Sequence, residues 1–143
     1  MRKLLIVLML GLSLHANEII IKESIHGVNE SIEKLKTLVT QKGFVVFDVI
    51  DHTQNAKDVN MSIEQSKVLI FGNPKGGTAL MQENILVGLD LPLRVLVFQD
   101  KEGKTQMAYR NGTWIKNTYS LKNDALITKV NGGLDMLVSE ACK

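Results

Sequence analysis

Apolar and polar positions fall into blocks along this chain, and the period of the pattern changes from block to block. The run Ile19-Ile20-Ile21 predicts a first strand over residues 18–24. Asn29 can cap a helix. Beyond it Ile32, Leu35, Leu38 and Val39 recur at helical spacing, and Glu30, Glu33, Lys34 and Lys36 fill the opposite face. Gly43 stands where a helix-ending glycine with positive φ belongs, so an amphipathic helix is predicted over 29–42. Residues 44–52 read as a second strand, with Phe44, Val46, Asp48, Ile50 and His52 on one face and Val45, Phe47, Val49 and Asp51 on the other. Both faces are largely apolar, which predicts a central strand. Residues 53–61 are polar and irregular, with room for a short helical turn near 55–59.

The run Val68-Leu69-Ile70-Phe71 predicts a third strand that stops at Gly72-Asn73-Pro74. A helix of roughly ten residues is then predicted to open at Thr78 and to end at the segment 88–92. Residues 93–98 read as a fourth strand, 100–103 as a hairpin turn with Gly103 supplying positive φ, and 105–110 as a fifth strand. That strand places Thr105, Met107 and Tyr109 on one face. Asn111-Gly112 reads as another turn. Asn123 can cap a last helix, in which Leu126, Ile127, Val130, Leu134, Leu137 and Val138 share a face. Gly132-Gly133 within it costs about 1 kcal/mol per glycine relative to alanine, which predicts a kink or break. The expected fold is α+β: a single domain with a mainly antiparallel sheet of about five strands and two to three helices packed on it.

The first sixteen residues change the picture of where this domain works. Arg2-Lys3, the apolar run 4–12 and Ser13-Leu14-His15-Ala16 have the layout of a secretory signal peptide. The run is far shorter than the ~20 residues of a membrane span. A leader over 1–16 and a single domain over 17–143 are expected, with a periplasmic or secreted location and no membrane span in the mature chain. The whole chain carries 17 basic and 15 acidic residues. Loss of Arg2 and Lys3 balances the two, so the charge gives no case for nucleic acid. Cys142 is the single cysteine. It precludes an intramolecular disulfide and sits where chain ends fray.

Three blocks carry a family resemblance: Gly43-Phe44 with Ile50-Asp51-His52 and Ala56; Phe71-Gly72-Asn73-Pro74 with Gly77-Thr78 and Leu80-Met81; and Gly88-Leu89-Asp90-Leu91-Pro92-Leu93 with Val95-Leu96-Val97, Gly103 and Tyr109. The chain resembles the family catalogued as domain of unknown function 302, over about residues 19 to 140. The resemblance implies a compact α+β fold and a homodimer, and no established activity. Thr53-Gln54-Asn55 departs from the small, alanine-rich residues expected after the histidine.

The candidate chemistry gathers around two features. Gly72 and Gly77 have the spacing of a Walker loop, but Thr78 and Ala79 stand where Lys and Ser/Thr are needed, which argues against nucleotide hydrolysis. N–H groups over residues 76–79 at a helix start could hold an anion; the alternative is a plain connector capped by Thr78. His52, at the end of a strand, could carry a proton or hold a ligand near the Asn73 turn, or serve the structure by bonding a loop carbonyl. A Thr78–His52 catalytic pair needs a contact that the sequence does not establish. Arg94 and Tyr109 could line the same pocket or form a cross-strand pair. Trp114 can anchor a partner or fill a rim. Met61, Met81 and Met107 could join His52 in a soft metal site, but such spacing usually marks core filler. No metal and no cofactor is expected. The expected binding residues are therefore His52, Asn73, Gly76, Gly77, Thr78 and Tyr109, for a small-molecule or anionic ligand. The function read from these features is non-catalytic small-ligand binding by an exported domain. Two alternatives stand beside it: an enzyme with His52 as general base near the 73–78 turn, and a structural or partner-binding domain.

Overall fold

The computed structural model of the protein describes residues 19–143. The expected leader over 1–16 lies outside the described residues. Eleven elements follow in order: β1 (Ile19–Ser24), α1 (Val28–Gln41), β2 (Val45–Asp51), α2 (His52–Asp58), β3 (Ser66–Gly72), α3 (Pro74–Glu83), a 3-10 turn (Ile85–Leu89), β4 (Leu93–Gln99), β5 (Thr105–Arg110), α4 (Gly112–Tyr119) and α5 (Asp124–Ala141). The five strands form one sheet in the order β1-β5-β4-β3-β2, antiparallel at every pairing. The α+β class and the five-stranded sheet are as expected; α4 is an added helix and α2 extends the short turn expected near 55–59.

Strand alternation sends Leu69, Phe71, Val95, Val97, Met107 and Tyr109 to one face. Helices α1 and α5 close that face with Val28, Ile32, Leu35 and Val39 from the first and Leu134, Leu137, Val138 and Ala141 from the second. Phe44 meets Phe71 edge-on at 5.8 Å and 84°, a favoured aromatic geometry. A smaller cluster of Leu80, Val87, Ile115, Leu121 and Ile127 joins α3, the 3-10 turn, α4 and α5.

Four sequence expectations are corrected. First, β2 is an edge strand, and β4 is central. The register slips between Val46 and Asp48. This β-bulge shifts the alternation by one, so Val46 and Val49 both pack on the core, while Asp48 and Ile50 pair with Ile70 and Val68. Second, α5 runs through Gly132-Gly133 without a break over 18 residues. Its apolar stripe is buried, and packing outweighs the glycine propensity cost. Third, Cys142 does not fray: it is 8% exposed, and its carbonyl accepts the Ile25 N–H at 3.0 Å. Burial pushes its thiol pKa up. Fourth, Asn111-Gly112 is a helix start. The Asn111 side chain accepts the Trp114 N–H at 2.9 Å, so the Asn-Gly pair is a cap followed by a close approach. A Cβ on Gly112 would stand 3.1 Å from Asn131 Oδ1, the Ile127 carbonyl oxygen and Val130 Cγ1, all on α5. The expectation at Gly43 holds: its φ of 79° turns the chain out of α1 into β2.

Candidate functional site

The structure does not bring the expected binding residues together. Asp51 pairs with Lys67 at one end of β3, and Val45 pairs with Gly72 at the other. His52 follows the first end and Asn73 the second, so a seven-residue strand of about 20 Å separates them at ~3.4 Å per residue. His52 is exposed, as the first residue of α2. Its neighbour Asp51 caps that helix, accepting the Gln54 N–H at 2.9 Å and pairing with Lys67 at 3.1 Å. The Gln54 bond first, and the Lys67 ammonium second, hold the Asp51 carboxyl below its ordinary pKa.

The 73–78 turn is also built differently from the expectation. Helix α3 opens at Pro74, whose fixed φ suits a first helical position, and Asn73 is its cap. The Asn73 side chain takes the Gly76 N–H at 3.1 Å, and its carbonyl takes the Gly77 N–H at 2.9 Å. These donors are spent within the chain. Thr78 is an exposed residue inside the helix rather than its cap.

Tyr109 lies on the core face, 4% exposed. Burial first, then the charges of Asp135 and Cys142, push its phenol up to about 12. Arg94 alternates with the core residue Val95 and so lies on the opposite face from the Tyr109 ring; the two do not form a cross-strand side-chain pair, but both residues border one cleft, as the sequence allowed. The three methionines are dispersed: Met107 in the core, Met81 against the smaller cluster and Met61 exposed at 67%. Among the described residues, no three His, Cys, Asp or Glu side chains gather to hold a metal ion.

What the structure offers instead is the open face of the sheet. Ile21, Ala108, Leu96, Val68 and Ile50 pair in sequence across all five strands. They form one apolar row in the position where an open antiparallel sheet normally turns polar residues to water. Ile21 is 56% exposed, and Phe47, near the edge, 53%. In the next row Ile19 pairs with Arg110 and Ile70 with Arg94.

Over these rows sits a cleft of about 260 Å³, where the sheet meets the 3-10 turn and α4. Its floor includes Ile19, Val68, Leu96 and Ala108; Asp90, Arg94, Arg110, Trp114 and Ile115 form its rim. The Arg110 guanidinium lies 4.4 Å from the Trp114 ring centroid and 3.7 Å from the Asp90 carboxylate. Tyr119 donates its hydroxyl proton to Asp90, a bond that raises the Tyr119 pKa. Arg94 is exposed on the central strand and makes no hydrogen bond or ion pair among the described residues.

Of the residues around this cleft, the sequence pointed to Arg94, Tyr109 and Trp114; it did not point to Asp90 and Arg110, because the parts lie far apart in the chain and only register unites them. A signal existed: Arg94, Leu96, Ala108 and Arg110 are the off-core positions of two strands joined by a short hairpin. His26 lies in the connection from β1 to α1. Its Nδ1 is 2.9 Å from Glu30 and its Nε2 is 2.8 Å from Lys34 Nζ. A neutral ring that donates to Glu30 and accepts from Lys34 fits both contacts, and it ties the β1–α1 junction.

The fold and cleft define a class first: a small α+β domain with one closed and one open sheet face. The pattern described as "Domain of unknown function DUF302" matches residues 20–139, and the chain belongs to that family. An uncharacterized conserved DUF302 protein from Bacillus stearothermophilus has a similar crystal structure, with a TM-score of 0.73 at 23% identity over 90% of this chain and 100% of that one. That likeness is one of fold. A fluoride-specific ion channel FluC 1 of Brucella suis is 37% identical over 99 residues, covering 69% of this chain and 39% of the channel protein. The FluC 1 of Brucella abortus matches at 37% over 99 residues and 37% of its length. The chain thus spans under two fifths of these curated relatives. Among the described residues no helix is long and apolar enough to cross a membrane.

Proposed function

We propose that this chain is an exported, non-catalytic domain that binds a small ligand in the cleft of its open sheet face and works as a homodimer through the same face. The observation that carries the reading is the apolar row from Ile21 to Ile50, continuous over five strands and beside a cleft bordered by the exposed Arg94. Apolar surface in one contiguous patch favours cover by a partner or a ligand. A second copy laid on the row roofs the cleft, whose floor shares Val68, Leu96 and Ala108 with it. Export is supported by the leader pattern of residues 2–16. The family resemblance supports the homodimer. Conduction of fluoride, named for the Brucella relatives, is not carried over, because the match covers the smaller part of those proteins.

Native mass spectrometry of protein purified from the exported fraction tests the reading. The expected result is twice the mass of the leader-free chain with a co-purifying small molecule. Ile21→Glu, at a position exposed enough to leave the fold intact, is expected to return single chains. A wild-type monomer without a bound molecule contradicts the proposal.

A further inference from the structure

The charges around the cleft do not balance. Asp90 is engaged by Tyr119 and Arg110, and Arg110 is held against Trp114. Arg94 remains on the central strand with no partner among the described residues. Among the described residues that line the cleft, two guanidinium groups and one carboxylate leave one net positive charge over an apolar floor. A planar guanidinium fork accepts a carboxylate through two parallel hydrogen bonds, stronger than neutral ones. A phosphate dianion would call for more donors than one unpaired arginine supplies. The volume of about 260 Å³ lies below the ~300–1,000 Å³ of pockets for drug-sized ligands, so the occupant is small.

We propose that the cleft takes a small monocarboxylate with a short apolar body, the carboxylate on Arg94 and the apolar part against Leu96, Val68, Ala108 and Ile115. This rests on the reading of the cleft as a ligand site and adds the ligand's chemical class. Asp90 acts at the rim as a positioning residue: it draws Arg110 to one side and leaves Arg94 as the single anion anchor.

Trp114 is the only tryptophan of the chain and borders the cleft, so its emission reports occupancy. The experiment titrates the full mature protein with sodium hexanoate, hexanol and inorganic phosphate at matched ionic strength. Hexanoate is expected to give a saturable change, with hexanol and phosphate at least about tenfold weaker, the scale of a lost charge-assisted hydrogen bond. Arg94→Gln is expected to weaken hexanoate by about tenfold and leave hexanol unchanged, with Arg94→Lys intermediate because it keeps the charge and loses the fork. Arg94 is exposed, so both variants are expected to keep the wild-type circular dichroism. Hexanol as tight as hexanoate would leave the cleft a ligand site and overturn the carboxylate. Phosphate tighter than hexanoate would overturn the apolar body. No response to any probe would overturn the cleft reading together with this one. Unchanged hexanoate binding in an Arg94→Gln protein that has become monomeric would assign Arg94 to the dimer contact and overturn its role as ligand anchor.

Discussion

The two faces of the sheet are made by alternate residues of the same five strands, and they have opposite fates. On one, Leu69, Phe71, Val95 and Val97 are wholly buried under α1 and α5. On the other, the row from Ile21 to Ile50 is as apolar in composition but less covered: Val68 at its middle is 8% exposed and Ile21 at its edge 56%, and none of its members joins a buried cluster. The closed face holds the fold together. The open face contributes less to the stability of a single chain and keeps its apolar surface for a partner or ligand. Chemical type alone does not separate the two; what lies on top does.

The largest effect is expected from a truncation on the closed face. Leu69→Ala removes a fully buried side chain, and the expected loss is about 2–5 kcal/mol in urea unfolding. A loss below about 1 kcal/mol would mean that the closed face is not the stabilising one.

A smaller effect separates the faces by pH. The Tyr109 phenol is raised from 10.0 to about 12 in the folded chain. Its contribution is complete below pH 10, where the unfolded phenol is also neutral. As the pH rises from 10 toward 12 the unfolded state ionises first, and stability falls by about 2–3 kcal/mol. Tyr109→Phe is expected to remove this part of the alkaline loss, read as the difference between the two pH profiles. Identical profiles would place Tyr109 outside the closed face.

The smallest effect is expected at the position that the sequence favoured most. His52→Ala should change stability by no more than about 0.5 kcal/mol and leave the Trp114 response to hexanoate unaltered. Loss of that response would restore His52 to the site.

The sequence foretold the order of strands and helices because each element carries its own period. Helix α1 and strands β3 to β5 stand within a few residues of their expected places. The bulge at Phe47 was invisible because an alternating apolar run reads the same with or without one extra residue. Helix α4 was missed because Asn-Gly is both a common turn and, with Asn as cap, a helix start. Gly76-Gly77 read as a loop that starts α3 at Thr78; with Asn73 as cap and Pro74 at the first position they form the first turn of the helix. His52 and Asn73 each follow the end of a strand, and the antiparallel pairing of β2 with β3 puts those two ends at opposite ends of β3. Arg94 and Arg110 could be named from the sequence, but their place in one cleft needed the register of β1, β4 and β5 with α4.

The claim that the open face is the working face is tested most directly by sedimentation velocity on the wild-type mature protein and Ile21→Glu at equal concentration. The account predicts a wild-type species of two chains and a variant of one, both with native circular dichroism. Two species of the same mass, whether both single or both paired, would contradict it.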